Sequence, residues 1–202
     1  MMARATTYHK EDLRRDLLAA ARDMIAQQGY HTLSLRGLAQ MVGVTSGAPY
    51  HHFSDRRALL LAIAIEGFED LIAPTQAPDI LKLPPLDRLV ALGRAYLDFA
   101  QHQPRLMELM YESELTTPAP APELLVYQRR GSQALLDAIT EALPANLPND
   151  RISRVVGYWS TVYGLAVLRN KGLLQPHEPE AVEPQDTDHL VITRSAKAAL
   201  QP

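Results

Sequence analysis

The chain contains no cysteine, which excludes disulfide frameworks and thiolate metal sites. No apolar run reaches the roughly 18 residues of a membrane span. Ala58 to Ile65 is too short and runs into Glu66. The N-terminus is polar and lacks the apolar core of a signal peptide. The expectation is therefore a cytoplasmic protein with no membrane partner. Strand signals are nearly missing, with no sustained alternation of β-branched and polar residues between turns. A serine elbow, a P-loop and a glycine-rich dinucleotide turn are also absent. His51 and His52 cannot chelate one metal together, because neighbours on a helix point about 100° apart. No His-x3-His spacing occurs. Catalysis is disfavoured on these grounds, and no cofactor or metal is implied.

What is present is a globular composition of 202 residues, 47% hydrophobic and 21% charged. The net charge of -3 argues against a wholly basic nucleic-acid binder. Up to Ala62, however, eight basic side chains face five acidic ones, a local excess of three. An excess so small decides nothing alone.

Helix-period patterns run throughout. Leu13, Leu17, Ala21, Met24 and Ile25 form one apolar stripe that Gly29 ends. Thr32 or Ser34 can cap a short helix, Leu35 to Val42, closed by Gly43. Ser46 can cap another running to Phe53, with Pro49 in its first turn. Asp55 caps a fourth, and Pro74 ends it. Pro74, Pro78, Pro84 and Pro85 mark a break. Beyond it, helices are predicted over Leu86 to Gln103, Arg105 to Leu115, Glu123 to Leu143, Ile152 to Asn170 and Thr187 to Leu200. Thr117 to Pro122 reads as a stiff extended connector. Gln175 to Asp186 reads as a proline- and acid-rich loop. The expected fold class is all-α. An N-terminal three-helix domain occupies 1–55, a linking helix 56–73, and a larger helical domain 74–202.

Two helices joined by a short glycine-containing turn form a helix-turn-helix. Leu35 to Val42 would support, and Ser46 to Phe53 would be the recognition helix. Leu38, Ala39, Val44, Tyr50 and Phe53 would make the small core. Taken blind, this is as well a helical hairpin in some enzyme or scaffold. The outward residues change the odds: Thr45, Ser46, Gly47, Tyr50, His51 and His52 can reach base edges and phosphates when a helix N-terminus enters the major groove. Arg36 and the Arg56-Arg57 pair flank them and can hold phosphates.

The stretch Thr32 to Leu61 resembles the DNA-binding signature of the TetR family of bacterial regulators. Leu38-Ala39, Gly43-Val44-Thr45, Tyr50, His52-Phe53, Asp55-Arg56 and Leu59-Leu60 carry the match. The resemblance implies a homodimeric repressor that binds a palindromic operator in double-stranded DNA and is released by a small-molecule effector. It assigns DNA contacts to Thr45, Ser46, Gly47, Tyr50 and His51, with His52 on the same exposed turn. Arg56 falls where the family has a phosphate-binding lysine or arginine. Pro49 replaces a commoner leucine or isoleucine, a change expected to shift base preference more than abolish binding.

The resemblance also implies an effector cavity in the second domain. Tyr96, Phe99, Met107, Met110, Tyr111, Tyr127, Trp159 and Tyr163 are its candidate lining. Singly, each reads as core. Such a lining favours an apolar or aromatic compound, while Arg94, Arg105 and Arg129 leave an anionic one open. Tyr158 to Leu165 is similar to a Trp-x3-His-Gly-Leu pattern of one subgroup, with Tyr163 in place of the histidine. In the family the last two long helices pair with their mates. Here these would present Val155, Val156, Trp159, Val162 and Ala166, then Leu190, Val191 and Ala198. An activator, or a helical module without DNA affinity, stays open at this point.

Overall fold

The computed structural model describes residues 10–143, 148–174 and 183–201. Their regular structure is all helical, as the sequence period predicts. The α-helices are α1 (Lys10–Gln28), α2 (Leu35–Val42), α3 (Arg56–Ile72), α4 (Pro78–Leu81), α5 (Pro85–His102), α6 (Pro104–Tyr111), α7 (Pro122–Ala142), α8 (Pro148–Asn170) and α9 (Pro184–Leu200). Among the described residues, no helix is long and apolar enough to cross a membrane.

The chain divides into two compact units. One comprises the described residues up to Gly67 together with Arg105–Ala121; the other comprises Phe68–Pro104 and the described residues from Pro122 onward. The division therefore falls inside α3, and α6 with its following loop joins the first unit.

In the first unit, α1 buries Leu13, Leu17, Ala21 and Ile25 of its predicted stripe, while Met24 is half-buried. Gly29, at φ 80°, ends it, and a short 3-10 turn follows over Tyr30–Thr32. Ser34 is the cap of α2: its Oγ accepts from the Gly37 amide at 3.1 Å. Gly43 adopts φ 76°, a left-handed conformation that a Cβ would strain. Asp55 caps α3, accepting from the Ala58 amide at 2.8 Å.

α6 stops at Tyr111, four residues before the predicted end. Ser113 is the cause, since its hydroxyl donates to the Leu109 carbonyl at 2.6 Å and accepts from the Leu115 amide at 3.1 Å. Such local bonds compete with the helix ladder. The expected extended connector instead folds back, with the Ala121 amide bonded to the Leu115 carbonyl at 2.7 Å.

In the second unit, α5 packs against α7, α8 and α9. Gly93 permits the close approach: a Cβ there would land on the Tyr158 hydroxyl and lie 2.9 Å from Ile192 Cγ2. The Tyr158 hydroxyl donates to the Leu89 carbonyl at 2.5 Å, and burial pushes its pKa well above the ordinary tyrosine value. Arg169 on α8 forks onto Asp188 on α9, with Nε at 2.9 Å and Nη2 at 2.7 Å from Oδ1. Helix α8 starts four residues before Ile152, and α9 starts at Pro184. Both open on proline, which the first turn tolerates because amides there have no intrahelical acceptor. Pro184–Asp186, expected in a loop, are thus helical; 175–182 lie outside the described residues.

Candidate nucleic-acid interface

The turn Gly43-Val44-Thr45 leads from α2 into the predicted recognition segment. That segment is not the α-helix expected over Ser46 to Phe53. It is a four-residue 3-10 turn, Ala48–His51, preceded by a tight turn. Its bonds reach back three residues: Ala48 to Thr45 at 3.0 Å, Tyr50 to Gly47 at 3.2 Å, and His52 to Pro49 at 3.0 Å. Pro49 explains the geometry. It has no amide to donate to Thr45, and its ring disfavours the α-conformation at Ala48. Gly47 weakens the helix further by about 1 kcal/mol relative to alanine.

The tight turn sorts the side chains by face. Pro49 and Phe53 are buried, so Pro49 packs inward. Tyr50, expected in the small core, is 48% exposed instead. Thr45, Ser46, Gly47 and His51 are exposed beside it, and His52 is half-buried against Phe53. The result is an outward face of hydroxyls, imidazole and phenol over an apolar floor. Donors and acceptors of this kind suit base edges and phosphates.

The arginines divide into two roles. Arg36 is exposed on α2, opposite the buried Leu35, Leu38 and Ala39. Arg56, expected as a phosphate ligand, is also engaged within the unit. Its Nε donates to the Leu33 carbonyl at 3.0 Å and its Nη2 to the Tyr30 carbonyl at 2.8 Å. Its Nη1 pairs with the Glu114 carboxylate. Arg57 Nη1 donates to the Glu114 backbone carbonyl at 2.7 Å. Burial raises the pKa of the nearby Tyr30 hydroxyl, and the charges of Glu108 and Glu114 raise it further.

One cation escaped the sequence reading. Arg14 on α1 is exposed, and its guanidinium lies 5.6 Å from the centre of the Phe53 ring, within cation–π range. Its position beside the buried Leu13 was readable, but its partner across the fold was not.

Comparison with known proteins decides the family. Residues 89–190 match the tetracyclin repressor-like C-terminal domain, and residues 17–63 match the bacterial regulatory proteins of the tetR family. The chain belongs to the TetR family. TetR-family proteins are DNA-binding transcriptional regulators, not enzymes. FasR, an HTH-type transcriptional activator of Mycolicibacterium smegmatis, is 26% identical over 134 residues, 66% of this chain and 60% of FasR. AcnR, an HTH-type transcriptional repressor of Corynebacterium diphtheriae, is 43% identical over 53 residues, 26% of this chain and 28% of AcnR. The matches thus span less than two thirds of these relatives' lengths. A solved protein of unknown function from Rhodococcus sp. RHA1 is 27% identical with a TM-score of 0.77, covering 98% of this chain and 97% of that one. LfrR from Mycobacterium smegmatis, solved in complex with proflavine, shares the fold at a TM-score of 0.62 and 20% identity, covering 96% and 98%.

The candidate effector residues of this TetR-family chain divide between the two units. Met107, Met110 and Tyr111 belong to the first unit, where Met107 and Met110 are buried. A Cβ on Gly67 would lie 2.7 Å from Met110 Sδ, so this methionine packs against α3. Tyr96, Phe99, Tyr127, Trp159 and Tyr163 belong to the second unit. There Tyr127 donates to Glu69 at 3.0 Å and stacks on Phe68, ring centres 6.4 Å apart. Trp159 is 41% exposed and contacts Tyr163 at 5.4 Å between rings.

A hollow of about 440 Å³ in the second unit is lined by Leu125, Arg129, Leu136, Ile152 and Val155 among others, and by none of the eight candidates. Arg105 donates to the Ala26 carbonyl at 3.1 Å in the first unit.

The residues expected to pair helices between protomers also divide. Val155, Val162 and Ala166 are buried in the chain's own core. Val156 and Trp159 are exposed on α8, in line with exposed Ile152, which was not among those expected; on α9 Leu190 and Ala198 are exposed and Val191 is half-buried.

Proposed function

We propose that this chain is a ligand-responsive repressor that binds a palindromic operator as a homodimer. The observation that carries the reading is the exposed turn from Thr45 to His51, with its polar face outward and Pro49 and Phe53 buried beneath. Thr45, Ser46, Gly47, Tyr50, His51 and His52 contact DNA, and Arg36 holds a phosphate. A single turn of this size reads only a few base pairs, so two copies related by a two-fold axis read two half-sites. The stripe Ile152, Val156 and Trp159 supports pairing through α8, because exposed apolar residues at helical spacing need a partner surface. Trp159 and Tyr163 then belong to the protomer interface more than to an effector site.

The effector is a small apolar or aromatic compound held in the second unit, with Tyr96, Phe99 and Tyr127 as contacts; the proflavine complex of LfrR supports that ligand class. Binding shifts α3, a continuous helix that begins in the first unit and ends in the second. The effector must bind the DNA-incompetent state more tightly to cause release.

The name of FasR favours a second reading, an activator. A promoter reporter separates the two, since deleting the gene raises expression under repression and lowers it under activation. The contact assignment is tested by gel-shift titration of Tyr50→Ala and His51→Ala. Both are expected to lose operator affinity with unchanged circular dichroism, and retained affinity in both sinks the assignment.

A further inference from the structure

Both arginines at the start of α3 meet one residue. Arg56 Nη1 pairs with the Glu114 carboxylate, and Arg57 Nη1 donates to the Glu114 carbonyl at 2.7 Å. We propose that Glu114 is an intramolecular phosphate mimic, occupying an anion site on the Arg56–Arg57 pair in competition with the DNA backbone. The proposal rests on the DNA-binding reading above.

Three features carry it. First, the Arg56 guanidinium is oriented independently of Glu114. The Leu33 and Tyr30 carbonyls hold Nε and Nη2 at 3.0 and 2.8 Å, leaving Nη1 aimed at the anion. Guanidinium binds carboxylate and phosphate by the same charge-assisted bonds, so a site shaped for one accepts the other. Second, the site is open to an external ligand. The side chains of Arg56 and Glu114 are 34% and 44% exposed, so a phosphodiester can reach the arginine once the carboxylate leaves. Third, Glu114 is placed there by its own loop. Ser113 ties that loop to α6 through Leu109 and Leu115, and the segment Arg105–Ala121 enters and leaves the first unit by way of the second. A change at either end of that segment can therefore dock or withdraw the carboxylate. Docked, Glu114 cancels one of the two positive charges and fills Nη1; withdrawn, it leaves both charges for DNA.

The salt dependence of binding tests this with full-length protein, an operator duplex selected from a random pool, and a scrambled duplex. Each phosphate contact adds about 0.9 to the slope of log affinity against log salt. Glu114→Gln is expected to bind both duplexes about two- to fivefold more tightly at low salt, the worth of an exposed ion pair, with a slope steeper by about 0.9. Glu108→Gln is the control. Its carboxylate lies on the same segment but pairs with His31, 3.8 Å from Nε2, and its removal is expected to leave the slope unchanged. Glu114→Ser repeats the test should glutamine disturb the fold.

Unchanged or weaker binding by folded Glu114 variants, or equal steepening by Glu108→Gln, overturns the proposal. Wild-type protein that binds no duplex at any salt overturns the DNA-binding reading instead, and the proposal falls with it.

Discussion

Asp188→Asn is expected to destabilise the second unit by about 3 kcal/mol. The aspartate side chain is 10% exposed and its partner Arg169 is 11% exposed. Two Arg169 nitrogens engage it, and Gln101 Nε2 approaches Oδ2 at 3.4 Å. Removing one partner of a buried pair leaves an uncompensated charge and costs roughly 3–5 kcal/mol. Asparagine keeps the volume and one acceptor, and Arg169 retains the Pro184 carbonyl at 2.9 Å, so the lower end applies.

For a chain of this size each kcal/mol lowers the melting temperature by about 2–4 °C. The fall in Tm should therefore be roughly 6–12 °C, measured at one fixed protein concentration because association adds to apparent stability. Urea titration should show the same loss with an unchanged m-value. Replacing both residues with leucine is expected to cost less than the single change, since no buried charge is stranded. A single-variant loss below about 1 kcal/mol, typical of an exposed pair, refutes the reasoning. So does a double variant weaker than the single.

Three further outcomes are expected. Tyr158 has a raised folded-state pKa, so its contribution is complete below the ordinary value of 10.0 and is lost as pH climbs past it; Tyr158→Phe should cost about 1 kcal/mol at neutral pH and flatten that alkaline decline in thermal melts. Gly93→Ala places a methyl against Tyr158 and Ile192 and should cost about 1–3 kcal/mol, whereas Gly131→Ala, with nothing within 4 Å, should not destabilise. Arg56→Ala should lower stability by roughly 1–3 kcal/mol because the Tyr30 and Leu33 carbonyls lose their donor, while exposed Arg36→Ala should leave the melt unchanged and reduce the salt slope of DNA binding by about 0.9.

Helix existence was legible because period and punctuation agreed. Ser34, Gly43, Asp55 and Gly29 act locally, and each ends or starts its helix where the sequence places it. Two local competitions were misjudged. Pro49 suits a first helical turn by itself, yet here the bonds from Ala48 to His52 reach back three residues, and a four-residue bond returns only at Phe53, whose amide meets the Pro49 carbonyl. Ser113 diverts the end of α6 with one hydroxyl.

The partner choices were harder still. Nothing local to Arg56 says that its acceptors are Leu33, Tyr30 and Glu114, separated from it by 23, 26 and 58 residues. Likewise nothing local to Met107 and Met110 says that they fold with the first unit. On α8, the choice between the Val155, Val162 face and the Val156, Trp159 face depends on which one α5 and α9 cover. Residue identity could not settle that.

Selection of binding sites from a random duplex pool tests the central claim most directly. The account predicts enrichment of a palindrome by wild-type protein, and none by Tyr50→Ala at matched folding. Enrichment of an asymmetric site, or equal enrichment by the variant, contradicts it.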